Sequence, residues 1–139
     1  VHGTSRADKL WPEQHWLALG QRLMQEGYAL ALPHGNEAEL ARSQRLAYRF
    51  GSDAHVTVWP TLALDDLLDK LGACTGVIGV DSGLSHIAVA LDLPHVQLYN
   101  FETAWRTGPL SAMKRQVSVY GKPVPTPDAV WTAWQQVVA

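Results

Sequence analysis

Apolar positions recur along this chain in two rhythms that alternate from one end to the other. Short apolar or β-branched runs at residues 28–32, 55–59, 76–80 and 95–99 read as strands, that at 76–80 buried. Between them, apolar residues fall three or four apart, as on the buried face of a helix. Trp16, Leu19, Leu23 and Met24 mark such a helix from Pro12 to about residue 26, and Leu40, Leu46 and Ala47 mark another over Glu37–Phe50. A third covers residues 64–73, begun near Thr61. A fourth starts near Ser82 and carries Leu84, Ile87, Ala88 and Leu91. Gln116–Tyr120 alternates as a late strand, and Pro127–Val138 closes as a helix carrying Trp131 and Trp134. Residues 1–3 look like the tail of a further strand. Strands alternating with helices of this length predict an α/β fold, a parallel sheet covered by helices on both faces.

The punctuation agrees with that outline. Pro12 suits the first turn of a helix, where a missing N–H costs nothing. Gly27 supplies a stop, and the run Pro33, His34, Gly35, Asn36 closes the strand before it. At 139 residues the chain has room for one domain. No internal repeat or low-complexity tract interrupts it. Because it opens on Val1 inside a strand-like stretch, we expect it to be a piece of a longer polypeptide.

Composition narrows the function. A hydrophobic share of 47% argues against disorder. Charged residues are only 17%, against about 25% in an average domain, which suggests an apolar surface facing a partner. A net charge of −2 leaves no basic footprint for nucleic acid. The lone cysteine, Cys74, sits within the third helical pattern; it excludes an internal disulfide and suits a reducing compartment. No apolar run approaches the length of a membrane helix, and the opening residues do not resemble a signal peptide.

In an open α/β sheet, ligands bind beyond the carboxyl ends of the strands. Three polar loops fall there, at residues 4–9, 35–39 and 81–86. In the third, a strand delivers Asp81, Ser82 and Gly83 onto the first turn of a helix, with His86 one turn on. The unpaired N–H groups and partial positive charge of that turn suit a diphosphate. Asp81 or Ser82 could equally be a plain helix cap, and His86 a packed structural histidine. The first loop holds Thr4, Ser5, Arg6 and Lys9, whose cations either neutralise phosphate or are merely solvated. Glu37 and Glu39 sit in the first turn of their helix, favoured there by its dipole, and a carboxylate at such a place can also take a ribose diol.

Several chemistries are unsupported. The chain has no G-x-G-x-x-G, no phosphate-binding G-x-x-x-x-G-K-[ST], and no G-x-S-x-G elbow. Its six histidines form no H-x-x-x-H pair, so no zinc motif appears. Asp65, Asp66 and Asp69 read as the wet face of a helix. Most tryptophans read as core, with Trp105, in the irregular loop 100–109, the best candidate for an interface or lid.

Taken together, Thr4-Ser5-Arg6-Ala7-Asp8-Lys9-Leu10-Trp11-Pro12 and Gly79-Val80-Asp81-Ser82-Gly83-Leu84-Ser85-His86 strongly resemble the bacterial ADP-heptose:lipopolysaccharide heptosyltransferases of glycosyltransferase family nine, type I most closely. The likeness runs along nearly the whole chain. It implies the C-terminal, donor-binding, Rossmann-like half (residues 1–139) of a two-domain GT-B enzyme. Such an enzyme transfers heptose from ADP-heptose to Kdo of the lipopolysaccharide inner core, with inversion and without a metal cofactor. By the resemblance, Thr4, Ser5 and Lys9 meet the donor's phosphates and sugar, and Glu39 takes the ribose hydroxyls. Leu62 lies where the chain passes the adenine, Asp81 reaches the heptose, and Ser82, Gly83 and His86 hold the diphosphate. Lys9 and His86 would stabilise the leaving group. The general base is expected in an N-terminal domain outside this chain, so the chain alone is expected to bind ADP-heptose weakly and turn over nothing. The implied partners are the Kdo2-lipid A acceptor and that N-terminal domain, with no nucleic acid. The implied location is the cytoplasm, peripheral on the inner membrane of a Gram-negative bacterium. A type II member of the family, or a non-catalytic nucleotide-binding or interaction domain, are the alternatives.

Overall fold

The computed structural model describes residues 1–3, 10–51, 55–80, 82–99, 115–121 and 124–138. Its elements follow the sequence alternation: α1 (Glu13–Gln25), β1 (Leu30–Leu32), α2 (Glu37–Phe50), β2 (Val56–Val58), α3 (Leu64–Gly72), β3 (Val77–Val80), α4 (Gly83–Ala90), β4 (His95–Tyr99), β5 (Gln116–Tyr120) and α5 (Pro127–Val138). Strand β1 is shorter than the apolar run around it because Tyr28 is used to finish α1, its N–H donating to Leu23 O at 3.1 Å. Gly27, at φ 93°, makes the turn that this ending requires. Cys74 lies just beyond the C-terminus of α3, not inside a helix as its spacing suggested. The loop 100–109 with Trp105 is outside the described residues. Among those described, no helix is long and apolar enough to cross a membrane.

Every strand pair is parallel, in a two-stranded sheet β1-β2 and a three-stranded sheet β3-β4-β5. Residues 1–3 run beside β3. The Val1 amino group donates to Ile78 O at 2.6 Å, and Val80 N–H donates to Val1 O at 3.1 Å. This is the bonding of a parallel ladder, so the expected strand tail is present in its hydrogen bonds. Val1 also lines a cavity shared by β1 and β3, which places residues 1–3 between the two sheets. The order is then β2-β1-(1–3)-β3-β4-β5, and the winding reverses between residues 1–3 and β3. Ligands of open α/β sheets bind at such a reversal.

Helices cover both faces. Leu19 and Leu23 of α1 and Val130, Trp131 and Trp134 of α5 pack with Ile78, Val80, Val96 and Leu98 on one face. On the other, Leu71 of α3 and Ala88 of α4 pack with Trp59 and Val77. Period-two alternation in β3 and β4 sends these two residue sets to opposite faces. Trp11, Trp59, Trp131 and Trp134 are all buried, as the core reading expected.

The α4 face of β4 carries a polar stripe. His95, Gln97 and Tyr99 are all buried. The ring of His95 lies 3.0 Å from Val77 O through Nδ1 and 3.1 Å from Gln97 Oε1 through Nε2, and Gln97 Nε2 donates to Tyr99 OH at 2.6 Å. Oxygen at both ring nitrogens would demand an imidazolium, which burial opposes. A half-turn of the Gln97 amide, exchanging its N and O, lets a neutral ring bond at both ends. His2 is buried in the same neutral way. Its Nε2–H donates to Ser43 Oγ at 2.6 Å while Ser43 donates to Pro33 O, and Arg42 Nη1 stands 3.3 Å from Nδ1.

Burial holds His95 down to about 4. Burial, aided by nearby positive charge from the amino terminus and Arg42, holds His2 down to about 3. Both rings protonate near pH 6.5 once unfolded. The unfolded chain therefore binds more protons below that pH, and stability falls as pH drops through the window from 6.5 towards 4. Each histidine should cost about 3 kcal/mol by pH 4. Urea denaturation at pH 7, 5.5 and 4.5 should show a midpoint falling monotonically; a midpoint unchanged across the series would mean that the rings are not neutral and buried.

Candidate functional site

Three chain segments end together at the carboxyl edge of the sheet: residues 1–3, β1 and β3. Residues 1–3 lead into loop 4–9, β1 into the turn before α2, and β3 into residue 81 and α4. The first two meet directly. A methyl group built on Gly3 would fall 2.8 Å or less from both carboxylate oxygens of Glu39, so only glycine lets the backbone pass this carboxylate.

Glu39 is held from its other side too. Its Oε1 accepts from Gly35 N at 3.0 Å, its Oε2 accepts from Asn36 Nδ2 at 3.0 Å, and its own N–H donates to Asn36 Oδ1 at 2.8 Å. Asn36 is thus the N-cap of α2, and Glu39 reaches back past it to the Gly35 N–H, a variant of the capping box. Each carboxylate oxygen keeps a lone pair beyond these bonds, so the group remains an acceptor at fixed orientation. One loop away, Thr61 Oγ1 lies 3.3 Å from His34 Nε2 and ties the end of β2 to the end of β1. Leu62 follows, half-buried against the cluster that contains Trp59, Leu84 and Ile87.

The third segment supplies the helix N-terminus. Ser82 is the N-cap of α4, in extended backbone, with its Oγ accepting from Ser85 N at 3.4 Å. Ser85 is buried and donates to Val80 O at 2.6 Å, which pins the first turn of α4 onto the end of β3. The capping reading of Ser82 is therefore realised, its hydroxyl also donating to Ser85 Oγ at 3.5 Å. Gly83 is exposed, and among the described residues a methyl group built on it would meet no packed atom within 4 Å. No packing among the described residues requires a glycine there. His86 is exposed on the same first turns, its N–H donating to Ser82 O at 3.1 Å.

The sequence-predicted residues divide cleanly. Glu39, Ser82, Gly83 and His86 stand at the carboxyl edge, and Leu62 packs just below it. Thr4, Ser5, Lys9 and Asp81 lie outside the described residues. Sequence reasoning missed Gly3, Asn36, His34 and Thr61. Asn36 was detectable, since Asn-x-x-Glu before a helical run is a capping signature. The Gly3 contact spans 36 positions and leaves no local trace. Among the described residues no group of three His, Cys, Asp or Glu side chains is placed to hold a metal ion.

Residues 1–130 match the family described as Glycosyltransferase family 9 (heptosyltransferase). Lipopolysaccharide heptosyltransferase 1 of Escherichia coli (strain K12) is 40% identical over 99 residues, covering 71% of this chain and 30% of that protein. Lipooligosaccharide heptosyltransferase 2 of Haemophilus influenzae (strain ATCC 51907 / DSM 11121 / KW20 / Rd) is 34% identical over 110 residues, covering 74% and 30% respectively. The solved structure of E. coli heptosyltransferase WaaC with ADP matches at a TM-score of 0.88 and 33% identity, over 99% of this chain and 42% of that one. The chain therefore spans less than half the length of each of these relatives. With its sheet order, its loop cluster and nearly all of its sequence in agreement, the chain belongs to glycosyltransferase family 9, the heptosyltransferase family.

Proposed function

We propose that this chain is the nucleotide-sugar-binding domain of an inverting heptosyltransferase, the C-terminal half of a GT-B enzyme that moves heptose from ADP-heptose to Kdo of the lipopolysaccharide inner core. The observation that carries it is the meeting at one sheet edge of a rigid carboxylate, Glu39, and a capped helix N-terminus with an open glycine, Gly83. A diol and a diphosphate need those two groups. The ADP in the WaaC structure supports the same donor.

In this reading Glu39 takes the ribose hydroxyls and the segment at Leu62 passes the adenine. Thr4, Ser5 and Lys9 meet the phosphates and sugar, and Asp81 reaches the heptose. The diphosphate lies against Ser82, Gly83 and His86. Breaking the anomeric bond leaves negative charge on ADP, which oriented N–H groups, Lys9 and His86 stabilise without a divalent ion. The base that deprotonates the acceptor hydroxyl belongs to an N-terminal domain, so this chain alone binds donor and transfers nothing. The full enzyme works in the cytoplasm at the inner-membrane face, where its lipid A acceptor lies. The type I assignment draws support from the higher identity to heptosyltransferase 1 than to heptosyltransferase 2.

Calorimetry with ADP tests the site. Glu39→Gln keeps the Asn36 cap on the residue 39 N–H but loses the charge and one of the two acceptor oxygens, and should weaken ADP about tenfold or more. Gly83→Val should weaken it at least as much while leaving the urea midpoint close to the parent's, since no described residue crowds that position. Lys9→Ala and Asp81→Ala should lose affinity for ADP-heptose. Unaltered affinity in both Glu39→Gln and Gly83→Val would move the nucleotide elsewhere. A second titration, with EDTA or with added magnesium, should return the same ADP affinity; strict dependence on magnesium would overturn the metal-free reading.

A further inference from the structure

Ser85 is fully buried in the first turn of α4, where an alanine would pack and would favour the helix more. Its hydroxyl is nonetheless engaged on both sides. It donates to Val80 O, the last carbonyl of β3, at 2.6 Å, and it accepts from Ser82 Oγ at 3.5 Å. Gly79 makes room for it, since a methyl group there would stand 2.6 Å from Ser85 Oγ. The Ser85 N–H in turn donates to Ser82 Oγ at 3.4 Å. One serine thus ties together the end of β3, the N-cap and the first turn of α4.

Apart from this serine, α4 is seated on its face of the sheet by apolar side chains, those of Leu84, Ile87 and Ala88. Apolar burial is non-directional, so on its own it would let a short helix slide or tilt slightly at little cost. A hydrogen bond of 2.6 Å from the helix to the last carbonyl of the strand fixes a distance and an angle. It sets how the first turn stands relative to the carboxyl edge. Among the described residues, the N–H groups of Gly83 and Leu84 have no partner, as befits the first residues of a helix, while Ser82 caps that of Ser85. Those two N–H groups are the donors left for an anion, and their aim depends on how Ser85 seats the turn.

We propose, resting on the nucleotide reading, that Ser85 is a positioning residue for the donor's diphosphate. Buried beneath the turn, it acts through other groups. Its bond to Val80 O holds the Gly83 and Leu84 N–H groups at the height the diphosphate requires, and its contact with Ser82 holds that side chain over the turn. The Ser82–Ser85 bond is long, and a hydrogen bond to a charged phosphate oxygen is about twice as strong as a neutral one. A bound diphosphate therefore draws the Ser82 proton to itself, while the shorter tether to Val80 O stays in place. A binding constellation keeps its affinity only when its groups are held within about 0.5 Å, a precision that comes from the locked side chains behind them. The ribose and adenine contacts, at Glu39 and Leu62, lie on other segments and do not depend on this tether.

Calorimetry with ADP and an NMR titration with adenosine test the proposal, each run well below the unfolding transition that a urea curve locates. Ser85→Ala should weaken ADP about fivefold or more and leave adenosine within about twofold of the parent, because only the diphosphate meets the first turn of α4. Ser85→Cys, close in size but a weak donor, should fall between parent and alanine variant for ADP. Val130→Ala, a core truncation on the other face of the sheet, should lower the urea midpoint at least as far as Ser85→Ala and leave both affinities unchanged. A Ser85→Ala protein that binds ADP as the parent does would overturn the proposal, leaving apolar packing alone to seat the helix. Equal loss of ADP and adenosine would also overturn it, by making Ser85 a general prop of the fold. A parent that binds no ADP would instead overturn the nucleotide reading, and this proposal with it.

Discussion

The pair of hydrogen bonds between Val1 and β3 is the constraint from which the site follows. It lays residues 1–3 parallel to β3, so that both leave the sheet at the same end. Parallel strands need crossovers, and the crossovers here put helices on both faces and loops at the ends. Because winding reverses between residues 1–3 and β3, the helices that follow them, α1 and α4, lie on opposite faces with the carboxyl edge of the sheet between them. Glu39 on one side and the first turn of α4 on the other border it. In the proposed reading the anionic centre of a diphosphate sugar lies against that helix N-terminus.

Much of this was legible in the sequence, for identifiable reasons. Helices α2 and α5 and strands β4 and β5 begin and end where periodicity placed them, because each is bounded by Gly, Pro, Asn or a change of period. The Asp81–His86 turn was conspicuous because a strand ending in acid, hydroxyl and glycine has few structural purposes. What escaped depended on distance along the chain. Gly3 looked like an ordinary strand-end glycine until Glu39 was brought against it. His95, Gln97 and Tyr99 alternate like a wet strand face, yet α4 covers them and they bond one another. Ser85 gave no local sign that it would fasten α4 to Val80.

The Gly3–Glu39 contact joins two parts of the site that sequence analysis treated as separate. Glu39 is braced by Gly35 and Asn36 on one side and by passing backbone on the other. These contacts hold the carboxylate in one orientation at the sheet edge. In the proposed reading, the ordering cost of a ribose contact at Glu39 is met in part by folding, and less remains to be lost on binding. The open space over Gly83 is the complementary case, a place where the fold leaves room unused by the described side chains.

The polar stripe on β4 has a consequence of its own for how this sheet assembles. An all-aliphatic β4 could slide two residues along β3 and still present grease to both faces. With His95 reaching Val77 O and Gln116 of the adjoining strand reaching Val89 O and Leu93 O, such a slide would strand several amides and an imidazole in the dry interior. The stripe works like the teeth of a key, permitting a single alignment of β3, β4 and β5 and so fixing how far each strand protrudes at the carboxyl edge.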